Sequence, residues 1–498
     1  MKYKLFKRIS LFVLVLLVTF LFGCTNNTEQ QPESKQIKLS IVSINDFHGQ
    51  LEEVDGASGA ARIAKFVNEV KEDNPEGTIL LAAGDMFQGT AISNIGYGLD
   101  VVNFMNMLDF DAMTIGNHEF DWSLDKVLEY RDGNLENGEA EFPFLSSNIY
   151  QYSKEGLPDY IDEYTILEKS GLKVAVIGYI GFDQTNDIAT SMIADYTFLE
   201  PLEIVKENIK KARTVDNADV VIVCCHDDNT AINNLLAQGT GEYEVDAIIN
   251  AHTHDLENRR IFRSEEKRHV PVVQSSSSGE YVGQTTLIYD TETSDVVESA
   301  VINVRMTSGR AKDAEIEAYV NSIEEKYAPV FGRGLCTAGT YISRTGGTSW
   351  AVKALFNYSN RNLGSFDVAF INSGGIRASA FPIEKDTLVT VSRVYQIMPF
   401  DNTVKTVDLT GKLLKQAFNI SDVVAFGNFT YIDGNYYVDE ELILDDNIYS
   451  VVAIDYIFDK TTNPFLKGEN IVSTGILFRD VLINELELIG QNNELWLG

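Results

Sequence analysis

The sequence predicts an α/β protein of two domains, and three observations carry that expectation. Apolar runs of strand length alternate with helical stretches through the first half of the chain. Polar residues, histidines above all, collect directly after those runs, at the strand ends where open α/β sheets bind ligands. The chain has 498 residues, more than one hydrophobic core ordinarily organises.

At the start, Lys2, Lys4, Lys7 and Arg8 precede the apolar run ISLFVLVLLVTFLFG, which stops at Cys24. A basic region, an apolar region and a small residue before the break describe an export signal over residues 1–23. The run is short for a membrane-spanning anchor. The tetrapeptide LFGC resembles a bacterial lipobox, which implies lipidation of Cys24. The expectation is an exported lipoprotein, membrane-anchored on the extracytoplasmic or cell-surface side. Residues 24–36, poor in anything that packs, read as a flexible tether.

Losing the four basic residues of the signal would take the net charge from −33 to −37. So acidic a chain lacks the basic face that a nucleic-acid polymer requires. A small anionic substrate is compatible only where metals or arginines reverse the local field. The other three cysteines, Cys224, Cys225 and Cys336, read as small buried hydrophobes rather than a disulfide framework. No protein partner is predicted.

IKLSIVSINDFHG is a strand ending in Asp46 and His48. GASGAARIAKFVNEVKE has helical spacing, with Ile63, Phe66, Val67 and Val70 on one face. GTILLAAGDMFQG is a buried-type strand ending at Gly84 and Asp85, and FDAMTIGNHEFD is another, broken by Gly116 before Asn117, His118, Glu119 and Asp121. ADVVIVCCHDD ends in His226, and EVDAIINAHTHD in His252 and His254. A first domain therefore occupies residues 37–305. Residues 306–330 read as a linker helix, with Ile316, Tyr319, Val320, Ile323 and Tyr327 on one face and Pro329 at its end. A second α/β unit fills 331–498.

Of six histidines, five follow apolar strands directly, and only His269 lies in a charged loop. One such turn alone is as well explained by a capped helix start with a satisfied histidine; five are not. With Asp46, Asp85 and Asn117 these imidazoles make a donor set suited to Zn, Mn, Fe or Co rather than Ca. The set is too large for one ion and suits two divalent ions sharing a carboxylate, Zn or Mn favoured, which perform phosphate-ester hydrolysis. His118 is placed to protonate or charge-stabilise a leaving oxygen, with Asp121 to orient it. Glu119 receives no role from this pattern.

NDFHG, GD, GNHEFD, the strand-end His226 and AHTH, in that order, resemble the motifs of the calcineurin-like binuclear metallophosphoesterases. INSGGIR and MPFDNTV resemble the C-terminal domain of the bacterial 5′-nucleotidase/UDP-sugar hydrolase family. The resemblance implies a four-layer α/β/β/α domain joined by a helix to a C-terminal α/β substrate-binding domain. It implies that Asp46, His48 and His254 hold one metal, that Asn117, His226 and His252 hold the other, and that Asp85 bridges them. Two departures, Ala251 for glycine and HDD after the fourth strand, remove no ligand.

On the substrate side the resemblance implies a phosphate grip by Arg377 with Asn372, Gly374 and Gly375, and base stacking on Phe400. Arg344 is a candidate phosphate contact in an otherwise altered stretch, RTGGTSWAVKAL. The family's second stacking loop is replaced by DYIFDKTTNPFLKG, leaving Phe465 or Phe458 to supply the ring. The expectation is a hydrolase of extracellular nucleotides, nucleoside 5′-monophosphates first. Alternatives are a 2′,3′-cyclic-nucleotide phosphodiesterase, a nucleotide-sugar or NAD diphosphatase, another hydrolase of the superfamily, or a surface lipoprotein that binds nucleotides without turnover.

Overall fold

The computed structural model describes residues 35–54, 58–188, 192–265, 267–459 and 463–498. The export signal, Cys24 and nearly all of the tether lie outside the described residues. The first strand begins at Gln36, one residue earlier than expected, because Gln36 already pairs with Asp290.

Two sheets make the first domain. One contains β1 (Gln36–Ile44), β2 (Thr78–Ala82), β3 (Ala112–Thr114), β4 (Phe144–Leu145) and β5 (Ile161–Asp162). The other contains β6 (Tyr164–Lys169), β7 (Leu172–Ile180), β8 (Val220–His226), β9 (Ala247–Ile249), β10 (Leu256–Arg263) and β11 (Arg268–Ser275). The chain then returns to the first sheet with β12 (Tyr281–Asp290) and β13 (Asp295–Arg305). The orders are β13-β12-β1-β2-β3-β4-β5 and β10-β11-β9-β8-β7-β6. Strands β1 to β4 are mutually parallel, as are β7, β8, β9 and β11.

The period-two alternation of side chains builds the layers. In β1, Leu39 and Ile41 enter the core between the sheets, while Val42 and Ile44 face α1 (Ala60–Asp73). In β8, Val220, Ile222 and Cys224 face the same inter-sheet core, and Val221, Val223 and Cys225 pack outward with Val205 and Ile209 of a helix over 201–214. Helix, sheet, sheet and helix follow in that order, each strand face apolar because both are covered. On the first face, α2 (Ala91–Asn94) and α3 (Leu99–Met107) join α1.

The connector α4 (Ala314–Phe331) is capped by Asp313, whose carboxylate accepts the Glu315 and Ile316 N–H groups. Ile316, Val320 and Ile323 are buried, and Tyr319 and Tyr327 both bond Asp100 of α3, at its carbonyl and carboxylate respectively. The helix does not stop at Pro329. A proline so near the end forfeits one N–H bond only, and the turn closes at Gly332, whose N–H reaches the Ala328 carbonyl.

The second domain centres on five strands: β14 (Val368–Asn372), β15 (Thr403–Thr410), β16 (Val423–Gly427), β17 (Ile448–Ile454) and β18 (Glu469–Leu477), in the order β16-β14-β17-β15-β18. A helix, α5 (Val391–Ile397), touches both α4 and α2 and so delivers the following Met398–Asn402 turn to the first domain. Among the described residues, no helix is long and apolar enough to cross a membrane.

Candidate active site

All seven expected metal ligands lie beyond the carboxyl ends of β1, β2, β3, β8 and β9, or end the strand itself as His226 does. Because these strands are parallel within each sheet, their ends open on one edge of the sandwich. The turns there are unusual: Asp46, His48, Asp85, His252 and His254 all have positive φ, between 49° and 83°. Such backbone is disfavoured for residues with a Cβ and persists where surrounding structure enforces it, as at functional sites. Two glycines make room for the convergence. A Cβ on Gly84 would meet His226 Nδ1 at 2.5 Å, and one on Gly116 would meet Asp85 Oδ1 at 2.3 Å.

The structure gathers these residues into two adjoining groups. In one, Asp46, His48 and His254 each offer a ligand atom within 4.8 Å of the others; in the second, Asp85, His226 and His252 do the same. Asn117 joins the second, its Oδ1 3.0 Å from His226 Nε2 and 3.1 Å from His252 Nδ1. Asp85 also groups with His48 and His118, so its carboxylate borders both sets.

The donor set fits divalent cations. His48 Nε2 and His254 Nε2 are 3.1 Å apart, the separation of two nitrogens about 2.1 Å from one ion. Outer partners fix which nitrogen faces inward. His48 Nδ1 donates to the Gln88 carbonyl at 2.9 Å and His226 Nδ1 to the Ala83 carbonyl at 2.8 Å, freeing both Nε2 atoms. His252 is the reverse, Nδ1 inward and Nε2 3.6 Å from Asp187. Asp46 and Asp85 are 0% and 1% exposed. Burial alone would raise the Asp85 carboxyl, but the imidazoles of His226 and His118 outweigh it and hold it well below the usual range. Burial, with His118 nearby, pushes His48 down to about 4, whereas Asp85 raises His226 to about 10 against its burial, an attraction that a bound cation would replace.

His118 sits beside this pair. Its main-chain N–H donates to Asp85 Oδ1 at 2.8 Å, and its Nδ1 lies 2.7 Å from Asp121 Oδ2. Burial opposes its protonation, yet Asp121 and Asp85 raise it to about 9, so the ring is an imidazolium at neutral pH.

Two positioning residues escape the sequence pattern. Glu119, fully buried, accepts N–H bonds from Gly116 at 2.8 Å, Asp85 and Met86 at 2.9 Å, and Phe87 at 3.4 Å. It ties the turn after β2 to the turn after β3 and thereby sets Asp85 against Asn117. Asn45 does the same for Asp46: its Nδ2 donates to Asp46 Oδ2 and the Ser276 carbonyl, both at 2.7 Å, and its Oδ1 accepts the Ser275 N–H. The available signal was that strand-end N–H groups need acceptors, and a buried acid within the turn is one.

The second domain brings Arg377 and Phe400 to the same place. Phe400 lies 6.4 Å from the His118 ring, with 21° between their planes, and the Arg377 guanidinium stands 4.6 Å from the Phe400 centroid. Asn372 ends β14, with its Oδ1 buried and without a partner among the described residues, and Gly374 and Gly375 follow in a tight turn.

One expectation, Phe465, is corrected, and Arg344 makes main-chain contacts of its own. Arg344 supports that turn: its Nε donates to the Ile376 carbonyl and its Nη2 to the Ser373 carbonyl, both at 2.9 Å. Phe465 is not a stacking face for substrate. It is 0% exposed, wedged edge-on to Phe370 at 5.2 Å and against Phe458 at 5.5 Å, and Phe458 is buried too. An aromatic flanked by apolar neighbours in a loop is drawn to the core unless something holds it out.

Residues 39–256 match the calcineurin-like phosphoesterase family, and residues 337–468 match the 5'-nucleotidase C-terminal domain. Among curated relatives, an apyrase of Tabanus yao is 28% identical over 483 residues, covering 89% of this chain and 81% of the relative. A 5'-nucleotidase of Rattus norvegicus is 27% identical, covering 78% of this chain and 72% of its own length. The crystal structure of a 5'-nucleotidase precursor from Thermus thermophilus shares the fold, with a TM-score of 0.70 at 21% identity, covering 93% of this chain and 98% of that one.

Proposed function

We propose, from the premise that this chain is a calcineurin-like phosphoesterase domain joined to a 5'-nucleotidase C-terminal domain and is a metal-dependent phosphoric ester hydrolase, that its substrates are nucleoside 5′-monophosphates, cleaved to nucleoside and phosphate. The observation that carries the proposal is the meeting of His118 with Phe400 and Arg377, which puts an aromatic face and a guanidinium beside the metal ligands.

Asp46, His48 and His254 would hold one divalent ion and Asn117, His226 and His252 the other, with Asp85 between them. Such a pair activates water and neutralises phosphoryl oxygens. The chain's own residues supply the rest. His118, kept protonated by Asp121, donates a proton or positive charge to the departing ribose oxygen. Arg377 offers planar donors to the phosphoryl group, and the turn at Gly374–Gly375 lets backbone approach it. Zn or Mn suits the mixed imidazole, carboxylate and amide set.

Phosphate release from AMP or UMP, abolished by chelation and restored by Mn or Zn, supports this reading; no metal-dependent activity on any phosphoester removes it. A second reading is cleavage of diphosphate-containing nucleotides, which the burial of Phe465 keeps open by removing one expected contact to the base. Relative rates on AMP, ADP, UDP-glucose, NAD and 2′,3′-cyclic AMP separate the two. The export motif supports anchoring through a lipid on Cys24, at the outer side of a bacterial membrane. Cys24→Ala should then move the protein from the membrane to the soluble fraction.

A further inference from the structure

One carbonyl at the domain junction takes bonds from both sides. Pro399 O, at the turn after α5, accepts from Asn94 Nδ2 at 2.7 Å, from Arg479 Nη1 at 3.1 Å and from Gln88 Nε2 at 3.5 Å. A carbonyl has two lone pairs, so the two short contacts are the effective bonds and Gln88 is the marginal third. Arg479 belongs to the second domain and also pairs with Asp401. Asn94, at the end of α2, is thus the principal bond from the first domain to this turn. It is 3% exposed and uses both ends of its amide, since Oδ1 accepts the Gly89 N–H at 3.0 Å.

Both neighbours of this contact lead to the reacting centre. On the first-domain side, Gly89 follows Gln88, whose carbonyl holds His48 Nδ1. On the second-domain side, the next residue is Phe400, which covers His118 and carries Arg377 on its ring. A buried bond between neutral amides is stabilising, and facing acceptor with acceptor costs more than losing the bond. Here that energy decides whether the wall of the site contributed by the second domain stands over His118.

We propose that Asn94 is a positioning residue: its amide fixes the Pro399–Phe400 turn over His118, and substrate binding depends on that bond. The proposal rests on the reading that this turn forms the substrate-side wall. Asn94→Asp is the discriminating variant, because it keeps the oxygen that Gly89 needs and faces the Pro399 carbonyl with an acceptor in place of a donor.

In the metal-loaded full chain, amide hydrogen exchange at Met398 and Thr403, whose N–H groups donate to the Val394 carbonyl and the Asp455 carboxylate on either side of the turn, should accelerate about tenfold in Asn94→Asp, with exchange across 88–94 unchanged. KM for AMP should rise about tenfold, the equivalent of one lost hydrogen bond. Affinity for Mn, which the His48 turn governs and the Pro399 turn does not, should stay within twofold of the natural protein. Unchanged exchange at Met398 and Thr403 overturns the proposal. So does faster exchange with an unchanged KM for AMP, and so does a matching loss of Mn affinity, which would mean that Asn94 acts through the His48 turn. If the natural protein hydrolyses no AMP, the substrate reading fails, and the exchange result alone decides the proposal.

Discussion

The metal edge of the first domain and the turn cluster of the second face each other across His118, and they are built in different ways. At the metal edge, positions are set by main chain. Strand ends run in parallel, five turn residues have positive φ, and backbone carbonyls hold the imidazoles. In the second domain, positions are set by side chains: Arg377 on Phe400, Arg344 on two carbonyls, and Asn372 Oδ1 buried without a partner among the described residues. The chemistry is therefore fixed by the architecture of the sandwich, while the choice of substrate rests on packing that a few substitutions would reset.

The largest effect should come from the group between them. His118→Asn should lower turnover by about two to four orders of magnitude while leaving metal content unchanged. Equal turnover would remove the acid or charge role and leave the ligand assignment standing.

The opposite end of the second sheet supplies a control on architecture alone. Asp246 is buried against Arg213 at 2.6 Å and Arg268 at 2.7 Å, and it accepts the Val221 N–H at 2.8 Å. Burial would raise its carboxyl, but those arginines and the N–H outweigh it and hold it below the usual 3.8. The proton is thus bound more weakly in the folded than in the unfolded chain. The stability Asp246 contributes is present above about pH 4 and fades as pH falls through its folded value. Asp246→Asn should cost about 3–5 kcal/mol near neutrality and flatten the acid limb of a denaturation series. An unaltered acid limb would show that the arginine cluster is not coupled to folding.

Two substitutions then test the contrast directly. Glu119→Gln removes an acceptor from turns that four N–H groups depend on, and it should weaken metal binding about ten- to a hundredfold. Metal affinity equal to that of the natural protein would mean the turns hold themselves. Arg377→Leu should leave metal affinity alone and raise KM about tenfold or more, as loss of a charged hydrogen bond does. A matching fall in metal affinity would erase the distinction between the two regions.

The same division explains what can be read from the sequence. The candidate ligands are legible because an imidazole or carboxylate after a parallel strand has few other uses at that spacing. Glu119 and Asn45 are not, since they act on N–H groups that every residue carries and no side-chain pattern marks. Phe465 misleads because stacking on a substrate and packing in a core draw on the same aromatic residue. Only the placement against Phe370 and Phe458 separates those uses. The linker helix shows its buried stripe in the sequence, but Pro329 suggests a terminus there while costing just one bond in the last turn. The smallest predicted effect follows from the Phe465 placement. Phe465→Leu should cost about 1 kcal/mol of stability and leave the ranking of substrates unchanged.

On the function proposed above, two divalent ions bound by the strand-end residues drive hydrolysis of a nucleotide monoester. Stripping the full chain with chelator, titrating it with Mn and following bound equivalents and phosphate release from AMP in the same samples tests that most directly. Two equivalents per chain, with activity returning as they bind, is the expected result. Full activity in the stripped protein, or saturation of activity at one equivalent, would contradict it.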